Sequence, residues 1–176
     1  MLATDSYKKQ LYMEHETHTS WGHGASLNKV KHFEDFLEKN ECKTIIDYGC
    51  GKSNLKDFVE KNYNYEVTEY DIGIEGKDVL NNKADFIVCV DVLEHIEPEC
   101  LEDVLKHIHR HAIKGVYFSI CLVASHGFFQ DGSNLHTIIK NGDWWYPKVL
   151  QYFKFERETL STKHHIEFLA TPIKLE

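Results

Sequence analysis

A chain of 176 residues suits one domain, whose folding buries about 70% of the surface of its extended form, so a single core is expected. A net charge of −8, with lysines scattered rather than clustered, works against unaided binding to nucleic acid, because that affinity rests on Lys and Arg meeting phosphates. The sequence has no run of 18 apolar residues and no apolar leader behind Met1, which disfavours a membrane span or secretion and makes the cytoplasm the expected compartment.

Residues 1 to about 23 show no clean period but are rich in rings: Tyr7, Tyr12, His15, His18, Trp21 and His23. His15 and His18 lack a cysteine or carboxylate at matching spacing and read as polar surface. From Ala25 to Lys39, Leu27, Val30, Phe33 and Leu37 return at three- and four-residue intervals, the stripe of an amphipathic helix. A β-branched run, Lys43-Thr-Ile-Ile-Asp47, then leads into Gly49 and Gly51 and a helix over about Ser53 to Asn62 that buries Leu55, Phe58 and Val59. Strand, tight turn and helix start form a cradle. Glycines allow the sharp turn and close approach of a ligand to bare backbone, and free N–H groups at the helix start offer donors.

Glu66 to Tyr70 reads as the next strand, and Asp71 follows 20 residues after Gly51. A nucleotide-binding α/β unit needs a carboxylate there, at the strand tip, for ribose hydroxyls; Glu69 competes from the opposite strand face. Residues 72 to 78 form a loop ending in Asp78. Ala84 to Val90 is almost continuously apolar, as a strand covered on both faces should be, and it breaks off in Asp91-Val-Leu-Glu94-His95. Pro98 suits the first position of a helix whose stripe is Leu101, Val104, Leu105, Ile108 and Ala112; His107, His109 and His111 fall on it as a solvated last turn. Gly115 to Cys121 is a strand. From about 122 to 142 the pattern fails while Gly, Ser, Asn and His accumulate, which marks a binding loop. A helix with Pro147 in its first turn spans Asp143 to Phe153, with Trp144, Trp145 and Tyr146 set for packing or for walling a pocket. Phe153 to Glu158 and His164 to Ala170 alternate as a closing hairpin. The five cysteines, none spaced Cys-x-x-Cys, read as buried thiols.

Asp47-x-Gly49-x-Gly51, with Ser53 where a third glycine is common, and Asp91-Val-Leu-Glu94-His95 after an apolar strand together resemble the motifs of class I S-adenosylmethionine (SAM)-dependent methyltransferases, over roughly residues 40 to 170. The resemblance implies one α/β domain over residues 1–176: a doubly wound, mostly parallel seven-stranded sheet with helices on both faces and an antiparallel last strand. It implies SAM as cofactor, held by Asp47, Gly49, Cys50, Gly51 and Asp71, with Asp78 at the adenine amine, Val90 and Asp91 at the methionine end, and Trp21 as a cap. Methyl transfer from a sulfonium needs alignment and exclusion of water more than acid–base help; an acceptor hydroxyl or ammonium would still need a base. His136 is the first candidate and His126 the second, with Asp131 as orienting group. No metal is expected. The acceptor is expected to be a small molecule or one presented side chain. The alternative is a SAM-binding protein without turnover; an NAD-dependent oxidoreductase has no use for Asp47 or the Asp-Val-Leu-Glu-His string.

Overall fold

The computed structural model describes residues 1–18, 22 and 25–175. Trp21 lies outside them. The strands are β1 (Thr44–Tyr48), β2 (Glu66–Tyr70), β3 (Ala84–Val90), β4 (Ala112–Cys121), β5 (Phe153–Ser161) and β6 (His165–Pro172). They form one sheet in the order β2-β1-β3-β4-β6-β5. β1 to β4 are parallel neighbours, and β6 runs antiparallel to both β4 and β5. The α/β class and the antiparallel final strand match expectation.

Among the described residues, six strands stand where seven were expected. The connection from β2 to β3 is only residues 71–83, about the minimum for a parallel crossover, and it carries neither helix nor strand. β2 is therefore an edge.

Helices cover both faces because successive side chains of each buried strand point opposite ways. Ile46, Ile87, Cys89 and Phe118 meet α4 (Leu101–His111) and α5 (Gly142–Val149) in one core; Ile45, Val67, Phe86 and Val88 meet α3 (Leu55–Asn62) and the segment before β1 in the other. Trp145, fully buried, belongs to the first core, so the tryptophan pair packs rather than walls the cavity described below.

The expected helix over Ala25–Lys39 is broken. Ala25–His32 is a 3-10 helix, and after Phe33 the chain continues as α2 (Glu34–Lys39). The tighter winding has a physical cause. Three residues per turn line up Ser26, Lys29 and His32. Ser26 then meets the Ser53 hydroxyl at 2.8 Å, while Lys29 and His32 both reach the fully buried Glu167, whose carboxylate also accepts the Tyr117 hydroxyl at 2.6 Å.

Three further expectations need correction. Phe58 is 38% exposed and rests against Tyr63. α4 begins at Leu101, beyond Pro98. Its histidines are not a solvated face: the Tyr48 hydroxyl lies 2.9 Å from His107 Nδ1, Ile173 O lies 2.7 Å from His109 Nε2, and His111 is buried. Burial and the neighbouring His111 press the His107 imidazole down to about 4.

The N-terminal stretch that showed no period contains α1 (Asp5–Thr17), capped by Thr4, whose hydroxyl accepts the Tyr7 N–H. It buries Tyr7, Leu11 and Glu14, the spacing of one helix face. Tyr7 and Leu11 form a small third core with Phe129 and Leu135 from the 122–141 loop.

Candidate functional site

β1 and β2 both end at the glycine turn. Tyr70 O accepts the N–H groups of Gly49 and Cys50 at 2.7 and 3.0 Å. Asp71, one residue beyond β2, binds the turn from the other side: Oδ2 accepts the Gly51 N–H at 2.9 Å and Oδ1 the Gly73 N–H at 2.8 Å. Gly49 and Gly51 have φ of +72° and +53°, and a Cβ at either would come within 2.4 Å of Val92 Cγ2 or Gly22 O. Only glycine meets both demands here.

In front of this turn lies a cavity of about 260 Å³, near the lower end of small-molecule sites. Its walls include Gly49, Gly51, Asp71, Val90 and Asp91 of the nominated residues, joined by Tyr48, Tyr70, Val92 and His95. Asp91, immediately after β3, is held at φ +54°, uncommon for a residue with a side chain. Its Oδ1 accepts the Ser119 hydroxyl at 3.2 Å and stands 3.1 Å from His165 Nε2. Burial pushes the Asp91 carboxyl up, but His165 and Ser119 outweigh it and hold the group below its ordinary value.

Other nominated residues stand off the cavity wall. Asp47 lies under the turn, 2% exposed, and its Oδ2 has no hydrogen-bond partner among the described residues. Burial raises this carboxyl to about 7, against the Ser53 hydroxyl, which lowers it. Cys50 is buried, and burial pushes its thiol well up. Asp78 accepts a hydrogen bond from Lys8 Nζ of α1 at 2.8 Å, which holds it below its usual range. His126 is exposed on the 122–141 loop, and Asp131 accepts from Gln10 and from Ser133.

His136 closes that loop. Its Nδ1 lies 2.6 Å from Val123 O, and its ring stands edge-on to His95, with centroids 4.7 Å apart. His95 Nδ1 in turn bonds Leu135 O at 2.8 Å, and burial, with His136 beside it, lowers this imidazole to about 4.

The fourth wall comes from α1, which the sequence did not nominate. Leu11 and His15 line the cavity, and His15 Nε2 stands 3.6 Å from Asp71 Oδ1, so His15 is no surface residue. The Tyr7 hydroxyl donates to His95 O, Thr4 binds both oxygens of Glu97 at 2.7 Å, and Lys52 Nζ donates to His15 O at 2.6 Å. Only the spacing of Tyr7 and Leu11 behind Thr4 pointed to such a helix.

A cationic nucleoside suits these residues on three observations: two glycines of the turn in the cavity wall, a buried carboxyl oxygen under it without a hydrogen-bond partner among the described residues, and two aspartates, Asp71 and Asp91, in the wall of one small cavity.

The family profile described as a methyltransferase domain matches residues 11–165. A comparison with curated proteins gives no match. Among solved structures, the chain is similar to 1,6-didemethyltoxoflavin-N1-methyltransferase of Burkholderia thailandensis, crystallised with 1,6-didemethyltoxoflavin and S-adenosylhomocysteine: TM-score 0.70 at 14% identity, covering 99% of this chain and 92% of that one. It is also similar to an N-methyltransferase of Bradyrhizobium japonicum in complex with S-adenosylhomocysteine (TM-score 0.60, 11% identity, 97% and 100% covered). A third is the magnesium protoporphyrin IX methyltransferase of Synechocystis with the same product bound (TM-score 0.60, 16% identity, 86% and 84% covered). These likenesses carry the fold, the profile carries the family, and both agree with the two motifs: the chain belongs to the methyltransferase family, in its class I, S-adenosylmethionine-dependent branch.

Proposed function

We propose that the protein transfers a methyl group from SAM to a small acceptor, with the donor in the cavity at the glycine turn. The observation that carries this reading is the bond from the Gly51 N–H to Asp71, which fixes the turn and sets an acid at the cavity wall at one stroke. Asp71 Oδ2 retains a lone pair for a ribose hydroxyl while holding Gly51, since each carboxylate oxygen accepts more than one bond. Asp91 and Val90 take the methionine end; Asp47 and Cys50 support from beneath. Asp78 reaches the adenine only if Lys8 releases it, so its part is secondary. Trp21 remains the proposed cap.

SAM supplies an electrophilic methyl. The chain's own work is to align the acceptor and to exclude water, and α1 with the 122–141 loop provides the cover for that. Proton removal from a hydroxyl or ammonium acceptor is assigned to His136 beside the cavity wall, with the exposed His126 second. The Nδ1 bond to Val123 O leaves Nε2 as the nitrogen of His136 that faces such work. The 1,6-didemethyltoxoflavin bound to one similar structure and the magnesium protoporphyrin IX in the name of another support a small acceptor here. No described helix is long and apolar enough to cross a membrane, and all five cysteines are free thiols, which supports a reducing, cytoplasmic setting.

Calorimetry with SAM, S-adenosylhomocysteine and NAD tests the donor: heat with NAD and none with SAM would reverse the reading. A screen of metabolite pools with methyl-labelled SAM tests turnover, and silence across broad pools by a SAM-binding protein would leave the non-catalytic alternative.

A further inference from the structure

The motif Asp91-Val-Leu-Glu94-His95 does more than turn the chain. It brings Glu94 and His95 against His136, so that one ligand-capable atom from each lies within 4.8 Å of the other two. Each of the three is fixed by the backbone. Leu135 O and Val123 O can only accept, so the ring nitrogens they meet, Nδ1 of His95 and Nδ1 of His136, carry the protons, and the neutral tautomer places the lone pair on Nε2 in both. Glu94 Oε1 accepts the Cys121 N–H at 2.8 Å, while Oε2 has no hydrogen-bond partner among the described residues in a side chain that is fully buried. A buried carboxylate oxygen left so is costly unless something answers it.

From this geometry we propose that Glu94, His95 and His136 form a binding site for a divalent transition-metal ion at the edge of the cavity. Two imidazoles and one carboxylate, each imidazole donating its other N–H to a carbonyl, form a set suited to zinc, cobalt or iron(II), whereas magnesium and calcium favour oxygen ligands. With metal–ligand bonds of about 2.0–2.2 Å, the atoms need to draw in by roughly an ångström. Three protein ligands leave further positions open, and His95 also lines the cavity, so a bound ion would stand at its wall. An acceptor with an oxygen or nitrogen donor would be selected and oriented there, and His136 would then act on it through the ion instead of as a base. That last step rests on the methyl-transfer reading; cation binding does not.

The test uses full-length protein stripped with a chelator, titrated with Co²⁺ and followed by its visible absorption, with Zn²⁺ and Mg²⁺ by calorimetry and S-adenosylhomocysteine binding measured on the same samples. One equivalent of Co²⁺ or Zn²⁺ and none of Mg²⁺ is expected. His136→Ala should weaken Co²⁺ by at least about tenfold, the low end of what loss of even an outer-shell partner costs. Glu94→Gln, which keeps an acceptor for the Cys121 N–H, should do the same and covers the case in which the first variant fails to fold. His107→Gln/His111→Gln, which removes the other close histidine pair, should keep the band. No Co²⁺ band in the parent, a band that survives both His136→Ala and Glu94→Gln, or one lost with His107 and His111 overturns the site. Protein that takes Co²⁺ but not S-adenosylhomocysteine upholds the site and sinks the donor assignment alone.

Discussion

Asp71 and Asp47 flank the glycine turn but are set for different tasks. Asp71 accepts two backbone N–H groups, so Asp71→Ala strands donors in a buried turn as well as removing a ligand group; SAM binding should weaken by about 1–3 kcal/mol, read by calorimetry. Unchanged affinity would remove Asp71 from the site. Asp47 is held up to about 7 by burial, while the same carboxyl in the unfolded chain ionises near 4. Between those values the folded protein keeps a proton that the unfolded chain has lost, so stability falls as pH rises through that window. A cationic donor nearby favours the ionised form. SAM affinity should therefore climb as pH rises toward about 7 and level off above it, and Asp47→Asn should flatten both trends; a wild-type affinity independent of pH would disconnect Asp47 from the donor.

At the level of elements, the parts that local chemistry dictates were the ones legible in the sequence. The β-branched run into Gly49 and Gly51, and the apolar β3 ending at Asp91, are specified by residues within a few positions of one another. The 3-10 winding of Ala25–His32 was not, because its cause, Glu167, is 138 positions from Lys29. Nor was the meeting of His136 with Glu94 and His95, made by the 122–141 loop folding back across some forty residues, as the His95 to Leu135 bond shows. α1 escaped because its inward face holds two apolar side chains and Glu14, too weak a stripe to stand out. Its hold is largely polar. Tyr7→Phe, which removes the bond to His95 O, should cost about 0.5–1.5 kcal/mol and speed amide exchange in α1 while leaving the central strands protected. Equal loss of protection in β1 and β3 would show that α1 is instead part of the cooperative core.

For the molecule as a whole, the two cores lie on opposite sheet faces, and a buried polar node at Glu167 ties β4 and β6 to the 3-10 helix on one of them. Burial alone would lift that carboxyl, but Lys29, Tyr117 and His32 together hold it below its ordinary value. Lys29→Met leaves the charge with two weaker partners and should destabilise by about 3 kcal/mol, the low end for breaking a buried pair, measured by urea unfolding. A carboxylate held low contributes stability that is present above its unfolded pKa near 4.3 and is lost as pH falls through the folded value. The difference between wild type and Lys29→Met should accordingly shrink in acid; a gap constant down to pH 3 would point to lost packing of the lysine stem.

The short β2–β3 connection has one more outcome. With no crossover helix to roof that end of the sheet, the roof is α1, and among the described residues its polar ties run to turns and loops, at Lys52, Asp71, Asp78, His95, Glu97 and Asp131, and to no strand. Displacing the first seventeen residues would thus break these ties and the small core at Tyr7 and Leu11 but no bond of the sheet, so variants there would be expected to alter how long an occupant stays inside without touching the framework that shapes the chamber.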